Sequence, residues 1–310
     1  PVAARAPVPI SAVTPAVRLI DPAGPRRVMV ALANPAHEAD LLRLGSYLAT
    51  GREQGGVVFG LHLVPVPIQT PLNVARRRFA TRPSIAQTID TLAQQVTVDN
   101  AGQNGRPPLR RTEMNAVIDV AHDVFGSLMS ETNRHQADLL LMGWQGDFSI
   151  NRIYNSPVQR VLTHAQADVA MLKNRGLAHV RSVLIPWGGG PHAQLGLEFA
   201  ARVGNATGAT IQVLRISRPG VDLAQEREAL KKGVEAVIGN QNQVRYLVRP
   251  GEQITEVIQQ TLDSEAYDLV IIGASHEWRI RNFLFGSIPD IIADYADCSV
   301  LMVRRYLLEH

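Results

Sequence analysis

Two turns in this chain carry the residue types that hold phosphate. The first is Asp138-Leu139-Leu140-Leu141-Met142-Gly143-Trp144-Gln145-Gly146; the second is Asp268-Leu269-Val270-Ile271-Ile272-Gly273-Ala274-Ser275-His276. Each is an apolar run ending in glycine, followed by a small polar pair, Asn155-Ser156 or Gly286-Ser287. A buried strand that ends in glycine ahead of a helix start offers unpaired N–H donors and the positive end of the helix dipole. Glycine also lets phosphate oxygens approach the backbone without a β-carbon in the way. The chemistry on offer is anion binding. The candidate contacts are Gly273, His276, Gly286 and Ser287 in the second turn, with Gly143, Gly146, Asn155 and Ser156 as their counterparts in the first. The alternative for both is a vestigial turn kept for its strand-to-helix geometry.

Other constellations point less sharply. Gly188-Gly189-Gly190 follows an apolar run and precedes Pro191, so it either cradles an anion or serves as a flexible connection into a helix. Arg76-Arg77-Arg78 and Arg82, with Phe79 between them, could meet phosphates, acidic headgroups or a carboxylate partner; a solvated charged loop is the plainer reading. The nine histidines show no metal-binding spacing, and His37, His164 and His192 read as surface residues on helices or their ends. Asp119 and Asp123 stand one helical turn apart and read as a solvated face. Trp144, Trp187 and Trp278 sit at or just past strand ends, where they could stack on a base or pack on the domain. Cys298 reads as a small core residue. Nucleophile-elbow, Walker-lysine and serine-triad patterns are missing, so catalysis is not expected.

These turns need a particular scaffold. Val28–Leu32, Val57–Val64 and Leu139–Met142 read as strands buried on both faces. Leu41, Leu44 and Leu48 mark a helix, Ile85, Ile89 and Leu92 a second, and Val117, Val120, Val124 and Leu128 a third. The same order follows in 182–304: strands at Ser182–Trp187, Thr210–Ile216, Val244–Val248, Leu269–Gly273 and Ser299–Arg304. Helices at His192–Asn205, Gln225–Ile238, Gln253–Leu262 and Ile288–Ala296 alternate with them. Alternation of this kind means βαβ units around a parallel sheet. The expected fold is α/β: two tandem, doubly wound, five-stranded parallel-sheet domains. The expected limits are 26–175, with a long insert near 65–83, and 179–305, separated where Asn174–His179 breaks the pattern.

Composition is consistent with this. The 310 residues suffice for two ordinary domains, and a net charge of +3 is too small to argue for nucleic acid. One cysteine excludes an internal disulfide. Neither a signal peptide nor an apolar run of the ~18 residues that would span a bilayer is visible. Residues 1–25 are Pro/Ala-rich and read as an extended linker. The start at Pro1 suggests a piece cut from something longer, and the ending Leu308-Glu309-His310 looks like the start of a purification tag.

The repeated order of elements, the strand-Gly-x-x-Gly turn and the paired apolar closing strands resemble the universal stress protein domain in tandem, over about 26–304. ATP-binding members carry Gly-x2-Gly-x9-Gly-Ser/Thr after the fourth strand. The second copy reads Gly273-x2-His276-x9-Gly286-Ser287, with histidine in place of one glycine; the first reads Gly143-x2-Gly146-x8-Asn155-Ser156 and is one residue short. An aspartate that such members tend to carry after the first strand is Ala33 in one copy and Gly188 in the other. The resemblance implies an adenine-nucleotide alpha-hydrolase-like fold, an intramolecular pseudo-dimer joined through the last strands, and a homo-oligomer. It implies a non-catalytic regulatory module with a degenerate ATP or AMP site. Looser similarity of Gly143-Trp144-Gln145-Gly146 and Pro186-Trp187-Gly188-Gly189-Gly190-Pro191-His192 to the tails of amino-acid/polyamine-type permeases implies a cytoplasmic domain working with an upstream transporter. A ligand-free protein-interaction module is the alternative, and a weak ATP-hydrolysing or AMP-transferring enzyme a more distant one.

Overall fold

The computed structural model describes residues 24–51, 55–79, 112–144, 157–241, 243–274 and 287–307, plus Gln87, Asp90, Thr91 and Gln94 as helical positions. The first half runs β1 (Arg27–Ala31), α1 (Pro35–Ala49), β2 (Val57–Pro65), α2 (Leu72–Phe79), β3 (Glu113–Ala121), α3 (Val124–Arg134), β4 (Leu139–Gly143), α4 (Pro157–His164) and β5 (Asp168–Lys173). The second runs β6 (Ser182–Pro186), α5 (Gly190–Thr207), β7 (Thr210–Ser217), α6 (Leu223–Ile238), β8 (Val244–Pro250), α7 (Ile254–Ser264), β9 (Leu269–Gly273), α8 (Ser287–Tyr295) and β10 (Ser299–Arg304). The ten strands among the described residues lie in one sheet, ordered β3-β2-β1-β4-β5-β10-β9-β6-β7-β8. Pairing is parallel inside each half. Only β5 and β10 run antiparallel, with Met171 opposite Met302.

Alternation along the strands divides the core between the sheet's two faces. Val28, Val30, Leu139, Leu141, Leu269 and Ile271 point into one cluster; Met29, Leu140, Val270 and Ile272 point into the other. The first cluster is continuous across both halves, because α1 and α5 lie side by side over it, with Leu41, Leu44 and Leu48 on one helix and Leu195, Phe199 and Val203 on the other.

The junction also holds buried charge. Arg26 is only 2% exposed and donates to Asp168 Oδ2 at 2.7 Å and Glu198 Oε2 at 3.2 Å. Its guanidinium carbon lies 5.2 Å from the centre of the Phe199 ring. Glu198 takes a second bond from Arg305 at 2.6 Å, and Asp168 accepts the Tyr306 N–H at 2.9 Å. Arg202 of α5 donates to the carbonyls of Leu48 and Thr50, where α1 runs out of intrahelical partners. Between β5 and β6, Asn174 donates to Asp40 at 2.8 Å, and the Arg175 N–H donates to Ser299 Oγ at 2.9 Å.

The structure departs from expectation in the first half. Val117 and Val120 belong to β3; only Val124 and Leu128 belong to the helix that follows. Asp119 and Asp123 therefore do not share a helical face. Asp119 sits on β3 and takes two bonds from Arg76, at 2.8 and 3.1 Å, while Asp123 caps α3 through the Phe125 N–H. Burial works to raise the Asp119 pKa, but the Arg76 bonds and the Val120 N–H outweigh it, and the carboxyl lies below its usual range. Part of the insert is also ordered: α2 seats Ala75 against Val66 and Val120. Ile85, Ile89 and Leu92 lie outside the described residues, but Gln87, Asp90, Thr91 and Gln94 between and beside them are helical and exposed, as the polar face of that helix should be.

Replacing Arg26 by methionine leaves two buried carboxylates short of a partner. Such losses cost about 3–5 kcal/mol. The urea midpoint should drop accordingly, and an unchanged midpoint would show that the Arg26 cluster does not hold the halves together.

Candidate functional site

In a doubly wound sheet, ligands collect beyond the carboxyl ends of the strands, at the point where strand order reverses. In the second half that point falls between β6 and β9, since the chain runs outward from β6 to β7 and β8 and then returns to β9. Two glycine-bearing segments flank it. After β6 comes Trp187-Gly188-Gly189-Gly190, and β9 ends at Gly273.

The two segments use glycine for different reasons. Gly189 (φ 74°) and Gly190 (φ 79°) adopt left-handed backbone that disfavours other residues. A β-carbon on Gly188, Gly189 or Gly190 would meet no described atom within 4 Å, so this backbone is open. Gly273 is the opposite case. A β-carbon there would lie 2.7 Å from both Ala193 N and the His192 carbonyl carbon, so glycine is what lets β9 cross the first turn of α5. His192, expected at the surface, is consequently buried at 4% exposure, and its Nδ1 accepts the Arg305 N–H at 3.0 Å.

The N-terminus of α5 completes this edge. Its cap residue is Gly189, with no side chain bonded back to the helix, so its first donors are not satisfied by a cap. The equivalent point in the first half lies between β1 and β4 and is built differently. There Asn34 Oδ1 accepts the Ala36 N–H at 3.0 Å, capping α1 from within the chain. A β-carbon on Gly143 would come 3.4 Å from Leu41 Cδ1, close to an ordinary contact, so nothing there demands glycine.

Of the residues singled out in the turns, Gly143 and Gly273 end their strands and Ser287 opens α8. Gly146, Asn155, Ser156, His276 and Gly286 lie outside the described residues, as do Trp278 and Arg82. The Gly188–Gly190 triplet, which the sequence leaves open between anion cradle and connection, stands at the switch point of the second half. The signal for it was three glycines between a buried strand and Pro191. Trp187 packs against the core, its N–H continuing the ladder to Leu214 O. His164 bonds locally to the Arg160 carbonyl, whereas His37 meets the Asn174 amide, 137 residues on. Burial pushes the Cys298 thiol up to about 11. Among the described residues no group of three or more His, Cys, Asp or Glu is placed to hold a metal, and no helix is long and apolar enough to cross a membrane.

Comparison with known proteins bears on the same half. Residues 179–304 match the sequence profile of the Universal stress protein family. This second half is a universal stress protein domain. The first half repeats its architecture strand for strand, and the tandem pair is matched over nearly its full length in solved structures. A universal stress protein from Archaeoglobus fulgidus DSM 4304 superposes with a TM-score of 0.60 at 14% identity, covering 91% of this chain and 97% of that one. A functionally unknown protein from Pseudomonas aeruginosa PAO1 gives 0.54 at 14%, covering 92% and 94%. The cytoplasmic domain of a prokaryotic cation chloride cotransporter gives 0.58 at 9%, covering 91% and 96%. At these identities the likeness is one of fold. No curated protein sequence matches the chain.

The contrast between the glycines of this universal stress protein domain can be measured. Gly273→Ala should cost about 1–3 kcal/mol through overpacking against the α5 backbone. Gly188→Ala, in open space, should stay within about 0.5 kcal/mol. Equal costs would refute the difference in role. Separately, Cys298 should resist alkylation at pH 8 in the folded chain and react fully in denaturant, because its thiol remains protonated.

Proposed function

We propose that the chain is a non-catalytic regulatory module whose second half binds an adenine nucleotide at the switch point between β6 and β9. One observation carries the reading: the N-terminus of α5 is uncapped and bordered by open glycine backbone, whereas its counterpart in the first half is closed by Asn34. Phosphate oxygens would take the place of the missing cap on the Gly188–Gly190 side. Ser287, which opens α8, and Gly286 before it in the chain would supply further donors, and His276 takes the place of a glycine in the sequence motif. The first half, with its α1 donor already spent on Asn34, would serve as a structural partner.

The setting of this module would be the cytoplasmic side of a membrane transporter. Two things support that reading: the similarity of the glycine- and tryptophan-bearing turns to permease tails, and the fold shared over 91% of the chain with a cotransporter's cytoplasmic domain. The module would act by binding and by docking, with neither half performing bond chemistry.

Calorimetric titration with ATP, AMP and cyclic dinucleotides, with and without magnesium, tests the nucleotide assignment. Weak, saturable binding at one site per chain is expected. Gly189→Asp, which places a carboxylate at the helix start, should weaken it about tenfold, as should joint replacement of Gly286 and Ser287 by alanine. Gly143→Ala should leave it unchanged. No heat with any nucleotide would leave the protein-interaction reading, and steady phosphate release from ATP would overturn the non-catalytic one.

A further inference from the structure

The segment between β2 and the end of α2 presents a surface that the nucleotide reading does not use. Ile68, in the turn before α2, is 82% exposed, and Val74, in the first turn of that helix, is 55% exposed. The opposite side of α2 is anchored: Ala75 is buried, and Leu72 and Phe79 pack with Val66 and Val120. The two aliphatic side chains therefore project outward from a fixed base. Around them Arg76, Arg77 and Arg78 are all exposed.

Charge at this edge is positive on balance. Arg76 is spent on Asp119, whose carboxylate it neutralises. Asp123, a further carboxylate, caps α3 and lies 3.9 Å from Arg160 of α4, whose guanidinium also stacks over Phe125 at 4.0 Å. Val124, next in the chain, is a further exposed aliphatic, and β3 brings it to the same edge, since the Val66 N–H bonds to Ala121 O. Among the described residues Arg76, Arg160 and Arg134 offset Asp119, Asp123 and Glu131, and Arg77 adds exposed positive charge beside the aliphatic tips.

We propose that this surface docks on an anionic lipid bilayer, with Ile68 and Val74 entering the headgroup boundary and Arg77 meeting lipid phosphates. The shape favours a membrane over a folded acidic protein. A stable protein interface buries about 800 Å² per partner around a central aromatic or arginine anchor set in a pocket. Here the apolar residues are aliphatic, separate and protruding, which a bilayer can accommodate without a complementary cavity. Arginine beside a shallowly inserted aliphatic is the pairing that interfacial segments use. The inference does not depend on nucleotide binding, and it suits a domain held beside a membrane.

Sedimentation of the purified chain with vesicles tests it. Phosphatidylcholine vesicles containing 30% phosphatidylglycerol are compared with pure phosphatidylcholine, at low and high salt. Binding to the anionic vesicles only, falling with salt, is expected. Arg77→Gln should weaken it about fivefold, the effect of one charge near an anionic surface. Ile68→Ser should weaken it roughly threefold at any salt, the share of a partly inserted side chain. Both positions are exposed, so folding should survive, and an unchanged urea midpoint in the same variants would confirm it. Three results would overturn the proposal: equal sedimentation with neutral vesicles, none with either, or loss on Arg77→Gln with no change on Ile68→Ser. The last would mark a purely electrostatic patch suited to an acidic protein.

Discussion

The antiparallel pairing of β5 with β10 is the contact on which the rest of the architecture depends. Both strands are almost entirely buried, and β10 is buried along its whole length. Left unpaired, each would be a bare apolar edge of the kind that invites uncontrolled association. Paired, they turn two five-stranded sheets into one, leaving β3 and β8 as the edges. Those edges are defended by different charges: Glu113 and Asp119 on β3, Arg245 and Arg249 with Pro250 on β8.

The same pairing gathers the buried charges. Asp168 opens β5, Arg305 follows β10, Glu198 rides on α5 and Arg26 precedes β1. Only an antiparallel junction brings all four to one place, because it sets the start of β5 against the end of β10. Buried ion pairs contribute little beyond what well-packed apolar residues would, but they penalise the wrong register heavily. A slip of one residue along β5 and β10 would separate Arg26 from Glu198 and Asp168 from the Tyr306 N–H, leaving each buried carboxylate with one partner fewer. The cluster thereby fixes how the halves meet more than how tightly.

Much of this was legible in the sequence, and the losses have identifiable causes. The second half reads correctly because each of its strands is a short apolar run bounded by turn residues, and each helix has its own stripe. In the first half, Val117, Val120, Val124 and Leu128 fit a helical period while spanning the end of β3 and the start of α3. Ala121-His122-Asp123 held the correction, since Asp123 is a helix cap, but an apolar spacing masks a cap of one residue. The burial of His192 was missed for another reason, and that of Arg26 drew no reading at all. A charged residue at a strand start and a histidine at a helix start look exposed from their neighbours. Their partners come from 113 to 172 residues away, and local pattern carries no record of such partners. At the candidate site, the chain showed glycines but not which were open and which were squeezed; that distinction needs the path of α5 beneath β9.

That path gives α5 a double position. Its first turn carries the open glycines and lies under Gly273, while its middle supplies Glu198 and Arg202 to the junction. Arg305 links the two ends of the arrangement, giving its N–H to His192 and its guanidinium to Glu198. A displacement of the first turn of α5 therefore cannot stay local: the helix is continuous for 18 residues and packed on a core shared with α1. Close-packed interiors resist gradual deformation and rearrange as units. An anion settled on Gly188–Gly190 would pull on a helix whose far side grips Arg26, the C-terminal end of α1 and the segment after β10. The first half, with its own switch point capped by Asn34, is then the body against which that pull acts, and its inequality with the second half becomes part of how the pair can work.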